Sequence, residues 1–306
     1  MSGLQRDLDL CMTLIFERLG TARLALGEGP VWDDRRACLF FVDIRAPAVH
    51  AIRLDGGGFR TWQMPSVTGS IGLGESGRLI VALKSDIAVL DPDTGALEPL
   101  LTIEGEPEAN RLNDGKVGPD GAFWVGSMDA STGIRQASGS LYRIDGKGNL
   151  SRAMAGGLIV SNGLAWSQDG QTMFHSDSSG RWIDRADFDP ATGAITGRVR
   201  IVNDIDAETG RPDGAACTAD GDYLSAGVSA GQLNRWSREG KLLESLAVPA
   251  PAPTMPCFCG PDLRTLVVTT LQPSPDRPQS DLSGALFMAR TPFAGAPVAR
   301  WRDAGP

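Results

Sequence analysis

Asp120-Gly121-Ala122-Phe123-Trp124-Val125-Gly126 is a turn running straight into a short apolar strand. Glycine accepts the backbone angles of a tight turn, and Phe, Trp and Val favour extended structure. The same unit recurs along the chain. Ser76-Gly77 precedes Leu79-Ile80-Val81-Ala82, Asp169-Gly170 precedes Thr172-Met173-Phe174, and Asp220-Gly221 precedes Asp222-Tyr223-Leu224. Pro261-Asp262 stands before Thr265-Leu266-Val267-Val268, and Leu39-Phe40-Phe41-Val42 is a further strand of this kind. With Phe40, Leu79, Phe123, Met173, Tyr223 and Leu266 as anchors, the spacings are 39, 44, 50, 50 and 43 residues. Six units of this length match the blades of a propeller, each made of four short strands. Alternating β/α units would need a helix of 10–15 residues between anchors. Strand-and-turn signals stand there instead, such as Ser140-Leu141-Tyr142-Arg143-Ile144-Asp145.

Outward from the repeat, composition agrees. The 306 residues include 38 Gly and 20 Pro, as a turn-rich fold requires, and no long stretch shows apolar residues at helical spacing. Residues 19–306 therefore read as one all-β domain, preceded by an N-terminal extension over residues 1–18. The net charge of −8, with no basic patch beyond Arg35-Arg36, excludes a nucleic-acid partner. No run approaches the roughly 18 apolar residues of a membrane span. Leu10-Cys11-Met12-Thr13-Leu14-Ile15-Phe16 is too short, and acidic Asp7 and Asp9 precede it where a signal peptide would be basic. Five scattered cysteines argue against a disulfide framework and for a reducing, cytoplasmic setting. Cys257 and Cys259 read as buried strand thiols.

The innermost strand of each blade lines a propeller's central channel, so one phase of the repeat converges on the axis. Ten to twelve residues before the anchors, that phase holds Glu28, Asn113, Asn162 and Asp213 in units one, three, four and five. Unit two has Gly69 there, followed by Ser70, and unit six has Thr254 to Pro256. Any single Asn-Gly or Asp-Gly pair reads as a hairpin turn. Four oxygen-bearing side chains in phase on separate blades read better as a site for a divalent cation.

Two motifs have the wrong surroundings. Gly72-Leu73-Gly74-Glu75-Ser76-Gly77 fits a dinucleotide fingerprint but leads into a strand, where that fingerprint needs a helix. Gly227-Val228-Ser229-Ala230-Gly231 fits a nucleophile elbow, but Gln232-Leu233-Asn234-Arg235-Trp236 reads as another strand. His175, one of two histidines, reads as a locally satisfied strand residue, and the seven Trp read as blade packing.

Five segments carry a family resemblance. They are Leu26-Gly27-Glu28-Gly29-Pro30-Val31-Trp32, Asn110-Arg111-Leu112-Asn113-Asp114-Gly115-Lys116, Ser161-Asn162-Gly163-Leu164-Ala165-Trp166, Arg211-Pro212-Asp213-Gly214, and Pro256-Cys257-Phe258-Cys259-Gly260-Pro261-Asp262-Leu263. In order and spacing the chain resembles the SMP-30/gluconolactonase/LRE family, which includes regucalcin and bacterial sugar lactonases. The resemblance implies a six-bladed propeller and one divalent cation (Ca, Zn, Mg, Mn or Fe(II)) held by Glu28, Asn162 and Asp213. It also implies substrate contacts from Arg111 and Asn113, and hydrolysis of an aldonolactone to the aldonic acid. Two departures bear on the sugar. Ser131 stands where regucalcin-like members carry a glutamate facing the substrate, and the usual Phe-Gly-Gly-Pro reads Phe258-Cys259-Gly260-Pro261.

A lactone is an ester, so its hydrolysis passes through a tetrahedral oxyanion that a cation stabilises. Asp213 is expected as both ligand and general base. Arg111 and Asn113, two positions apart, should face the same side of a strand, with Leu112 turned into the packing. Rival functions on the same propeller are a metal-dependent phosphotriesterase, a calcium-binding regulatory protein without turnover, and a scaffold for protein partners.

Overall fold

The computed structural model describes residues 14–274 and 280–303. The described residues form six four-stranded antiparallel sheets and contain no helix. The six sheets are the blades of a propeller, as the repeat requires. Blade 1 spans residues 27–63, blade 2 residues 70–102, blade 3 residues 110–158, blade 4 residues 161–202 and blade 5 residues 212–247. Blade 6 takes three strands from residues 253–290, and its outer strand is Glu17–Leu19, from the other end of the chain. Glu17 pairs with Met288, Arg18 with Phe287 and Leu19 with Leu286, which closes the ring. The boundary expected after residue 18 thus falls inside a blade strand. Of the apolar N-terminal run, residues 10–13 lie outside the described residues, while Leu14 and Phe16 pack against the blade 5–6 cluster.

All six anchors sit in the second strand of their blade, and the structure explains why each anchor and the residue after it are both apolar. Successive side chains on a strand point to opposite faces, and here both faces are covered by neighbouring blades. Phe40 and Val42 pack toward blade 2, whereas Leu39 and Phe41 pack toward blade 6. Phe123 and Val125 pack toward blade 2, and Trp124 toward blade 4. Tyr223 faces blade 4 and Leu224 faces blade 6. Six such clusters, one between each pair of adjacent blades, replace a single central core. Each fully buried Leu, Phe or Val contributes about 1.5–3 kcal/mol. The turns before the anchors close as expected: Gly121, at φ 71°, donates its N–H to Gly118 O at 2.9 Å.

The first strand of each blade lies innermost, and the two ends of the channel differ. The C-terminal residues cross the end where these strands finish. Ala296 N donates to Cys217 O, Trp301 N to Leu73 O and Arg302 N to Gly121 O, which ties blades 5, 2 and 3 together. Arg300 pairs with Asp33 of blade 1 at 2.7 Å. The strands begin at the opposite end, and the polar phase residues lie there.

Candidate active site

Glu28, Asn113, Asn162 and Asp213 line one cavity of about 450 Å³, together with Arg111. Each of the four comes from the inner strand of a different blade: Gly27–Asp33, Asn110–Val117, Ser161–Trp166 and Pro212–Cys217. The pairing of each inner strand with its neighbour breaks register there, between Glu28 and Val31, Leu112 and Gly115, Asn162 and Ala165, and Pro212 and Ala215. The Gly-containing pairs are therefore β-bulges within strands, not hairpin turns. A bulge twists a strand locally and re-aims a side chain, here toward the axis. Gly163 shows why glycine is needed: its φ is 66°, and a Cβ there would collide with Tyr223 Oη and Ser176 Oγ.

Hydrogen bonds hold the donors in place. Asn113 Nδ2 donates to Ser161 O at 2.9 Å and to Asn162 Oδ1 at 3.1 Å. Asn162 Nδ2 donates to Ser178 Oγ at 2.7 Å, and Ser178 Oγ donates to Pro212 O at 2.6 Å, next to Asp213. Asn162 thereby keeps its amide oxygen turned toward its neighbours in the cavity. Arg111 donates through one terminal nitrogen to Asn113 Oδ1 at 2.8 Å and to Leu112 O at 2.9 Å. Arg111 and Asn113 share the cavity, and Leu112 is buried in the blade 2–3 packing. Asp114 accepts from Leu164 N at 3.0 Å, linking blades 3 and 4 below the site.

Charge is crowded at the site, with the carboxylates of Glu28 and Asp213 set among the guanidinium groups of Arg45, Arg111, Arg135 and Arg211. Burial, then the charges of Asp213 and Asp114, push the Glu28 carboxyl well above its ordinary value. Burial and Asp114 push Asp213 up to about 8. Burial, then the like charge of Arg135, bring Arg111 down to about 10, against the opposing pull of Glu28 and Asp213. Two carboxylates, Glu28 buried and Asp213 half-buried, stand beside carboxamide oxygens and form a hard-oxygen donor set of the kind that suits a divalent cation. Among the described residues no group of three His, Cys, Asp or Glu side chains is arranged to hold a metal. The donor set here is two carboxylates plus Asn oxygens, all hard oxygen ligands.

Ser131 does not join this cavity. Its N–H and Oγ both donate to Asp129 Oδ1, at 2.8 and 2.5 Å, and it lines an adjoining groove with Arg135 and Ser179. His175 Nε2 lies 2.8 Å from Ser161 Oγ, inside blade 4, and steadies the residue before Asn162. Burial brings His175 down to about 4, so it is neutral. Ser229 Oγ accepts from Arg211 N at 3.0 Å in a turn leading to the strand Gln232–Trp236, not to a helix. Arg45, Arg135 and Arg211 at the cavity's mouth, and Ser178 behind Asn162, were not singled out from the sequence. Only Arg211 had a local signal, since it adjoins Pro212-Asp213.

The model of the SMP-30/gluconolactonase/LRE-like region matches residues 26–272. The 6-deoxy-6-sulfogluconolactonase of Pseudomonas putida is 36% identical over 273 residues, covering 88% of this chain and 92% of that protein. The L-arabinolactonase of Azospirillum brasilense is 30% identical over 286 residues, covering 92% and 94%. A solved structure of a calcium-binding regucalcin from Agrobacterium tumefaciens superposes with a TM-score of 0.86 at 25% identity, covering 95% of this chain and 98% of that one. By motif, fold and sequence, the chain belongs to the SMP-30/gluconolactonase/LRE-like family.

Proposed function

We propose that this protein is a sugar lactonase, hydrolysing an aldonolactone to the aldonic acid at the mouth of the propeller channel. The observation that carries this reading is the convergence of Glu28, Asn113, Asn162 and Asp213 from four blades on one cavity. Relatives that match along most of their length, and are named for lactone hydrolysis, support it.

Glu28, Asn162 and Asp213 would hold the divalent cation. When bound, it supplies Lewis acidity toward the ring carbonyl. Asp213 takes a proton from the attacking water as the new C–O bond forms. The ring C–O bond then breaks, and that proton returns to the departing ring oxygen. Arg111, with its rigid fork of donors, orients the sugar hydroxyls, and Asn113, whose Nδ2 hydrogens go to Ser161 O and Asn162 Oδ1, keeps a lone pair of its Oδ1 for them. Asn113 already receives one N–H from Arg111, so the two act as one unit.

The test is a lactone panel assayed beside an aryl phosphotriester, on chelator-stripped protein reloaded with Ca²⁺, Mg²⁺, Mn²⁺, Zn²⁺ or Fe²⁺. We expect lactone turnover that chelation removes and one or more cations restore, with little phosphotriester turnover. Phosphotriester turnover alone would favour the phosphotriesterase, and cation binding without turnover of either would favour a regulatory role.

A further inference from the structure

The cavity has a charge pattern that neutral sugar binding does not require. Its floor is acidic, with Glu28 and Asp213. Its walls and rim carry four guanidinium groups: Arg45, Arg111, Arg135 and Arg211. They gather on a chain whose net charge is −8. Elsewhere many arginines find carboxylates: Arg36 pairs with Asp33, Arg143 with Asp120, Arg198 with Asp184 and Arg290 with Asp262. Among the described residues, none of the four at the cavity has a carboxylate oxygen within 4.0 Å. Among the described residues, the Arg45 side chain donates to a backbone oxygen, Gln272 O, at 3.2 Å. Asp129, the acid beside Arg135, is occupied by Ser131 and by Gln136 N.

Like charges gathered with no carboxylate in contact are unfavourable unless something anionic joins them. The guanidiniums feel one another, since burial and then Arg135 bring Arg111 down, with Arg45 adding a smaller push. Glu28 and Asp213 offset part of this at the floor. Arg45 and Arg135 stand farther out: both are exposed, and they come from separate loops on blades 1 and 3. The groove of about 340 Å³ beside the cavity shares Arg135 and Ser179 with it and adds Ser131 and Thr132. A glutamate at position 131 would place a carboxylate on this groove, whereas the hydroxyl of Ser131 leaves it free of charge there.

We propose that the substrate is an anionic lactone, with a carboxylate, sulfonate or phosphate remote from the ring carbonyl, held between Arg45 and Arg135. This deepens the lactonase reading and rests on it. A planar guanidinium binds such oxyanions through paired, charge-assisted hydrogen bonds. The acidic floor and basic rim also orient the ligand, because the anionic end is repelled from Glu28 and Asp213 and drawn to the rim.

The experiment compares kcat/KM for glucono-1,5-lactone with that for its 6-phospho and 6-deoxy-6-sulfo counterparts and for a glucarolactone. The proteins are wild type, Arg45→Gln, Arg135→Gln and the double variant. We expect wild type to favour at least one anionic lactone, by about tenfold or more, with the preference shrinking as NaCl is raised. In each variant the ratio of anionic to neutral kcat/KM should fall by about tenfold to a hundredfold, mainly through KM. The three anionic substrates separate carboxylate, sulfonate and phosphate recognition. Calorimetry with 6-phosphogluconate and a sulfonated gluconate supplies a readout independent of turnover, and binding should disappear in the double variant. Turnover of the neutral lactone with no anionic preference, or equal losses on all substrates, would overturn the anionic site and leave the lactonase standing. Arginine-dependent binding of the acids without turnover of any lactone would do the reverse.

Discussion

The inner strands of blades 1, 3, 4 and 5 and those of blades 2 and 6 occupy equivalent places around one channel, yet only the first four deliver a donor to the cavity. In blade 2, Ser70–Leu73 pairs with Leu79–Ala82 in unbroken register, and the Ser70 side chain stays buried without a hydrogen-bond partner among the described residues. In blade 6 the register does shift, between Pro253 and Met255. There the phase residue Thr254 is spent on structure, its hydroxyl 2.5 Å from Gly27 O and 2.8 Å from Thr269 Oγ1. A bulge alone therefore does not make a site position. The bulge must coincide with a side chain long enough to reach the axis and not already committed to a neighbouring blade.

The largest effect that could break this comparison lies at Asp213. Asp213→Ala removes one of the two carboxylates and the proposed base, and lactone turnover should fall by about 10³-fold or more. The thermal midpoint should hold or rise, because a crowded acid has gone. Near-normal turnover in the cation-loaded variant would show that the four donor-bearing strands do not form the reacting centre. A folded but inactive protein, checked by circular dichroism, would sharpen the division between the two groups of blades.

The same comparison explains what could be read from the sequence. The anchors were legible because a strand covered on both faces carries apolar residues side by side, as in Leu39-Phe40-Phe41-Val42. Glu28, Asn113, Asn162 and Asp213 were legible as a phase, since a polar residue repeated at one place in an apolar repeat needs a common cause. Their bulges were not legible, because Asn-Gly and Asp-Gly serve hairpin turns and bulges equally well. Ring closure was not legible either: Glu17–Leu19 has only three residues, of which Leu19 alone is buried, so it shows no period. Arg45 and Arg135 lie on loops, and only tertiary placement brings them to one cavity mouth. Ser131 was sought in the cavity by its position in a motif, but its hydrogen bonds to Asp129 hold it in the adjoining groove.

A smaller effect is expected behind the donors. Ser178 touches no substrate in the proposed mechanism, yet it accepts from Asn162 Nδ2 and donates to Pro212 O, joining blades 4 and 5. Ser178→Ala should free the Asn162 amide to rotate and weaken cation affinity by about tenfold to a hundredfold, the usual loss when support behind a ligand is removed. Titrating stripped protein with the activating cation measures this directly. Saturating cation should recover most of the turnover, which distinguishes a positioning role from a lost catalytic group. Unchanged affinity would mean that Asn162 is held by Asn113 and its own strand alone.

The smallest effect on activity belongs to blade 6. Thr254 sits at the phase of the donors, so sequence position alone would place it with them. Its hydroxyl instead bonds the Gly27 carbonyl, one residue before Glu28, and so ties blade 6 to blade 1. Thr254→Val keeps the shape and removes the hydroxyl, leaving that buried carbonyl without this partner. Such a loss costs about 1–3 kcal/mol, and in a domain of this size it should lower the thermal midpoint by a few degrees. Because the strand carrying Glu28 remains paired with Cys38–Asp43, kcat/KM should stay within about twofold of wild type. A midpoint shift with activity retained separates ring closure from chemistry at equivalent positions of the repeat. A loss of turnover approaching that of Asp213→Ala, at unchanged stability, would instead bring blade 6 into the site and make five of the six inner strands contributors to it.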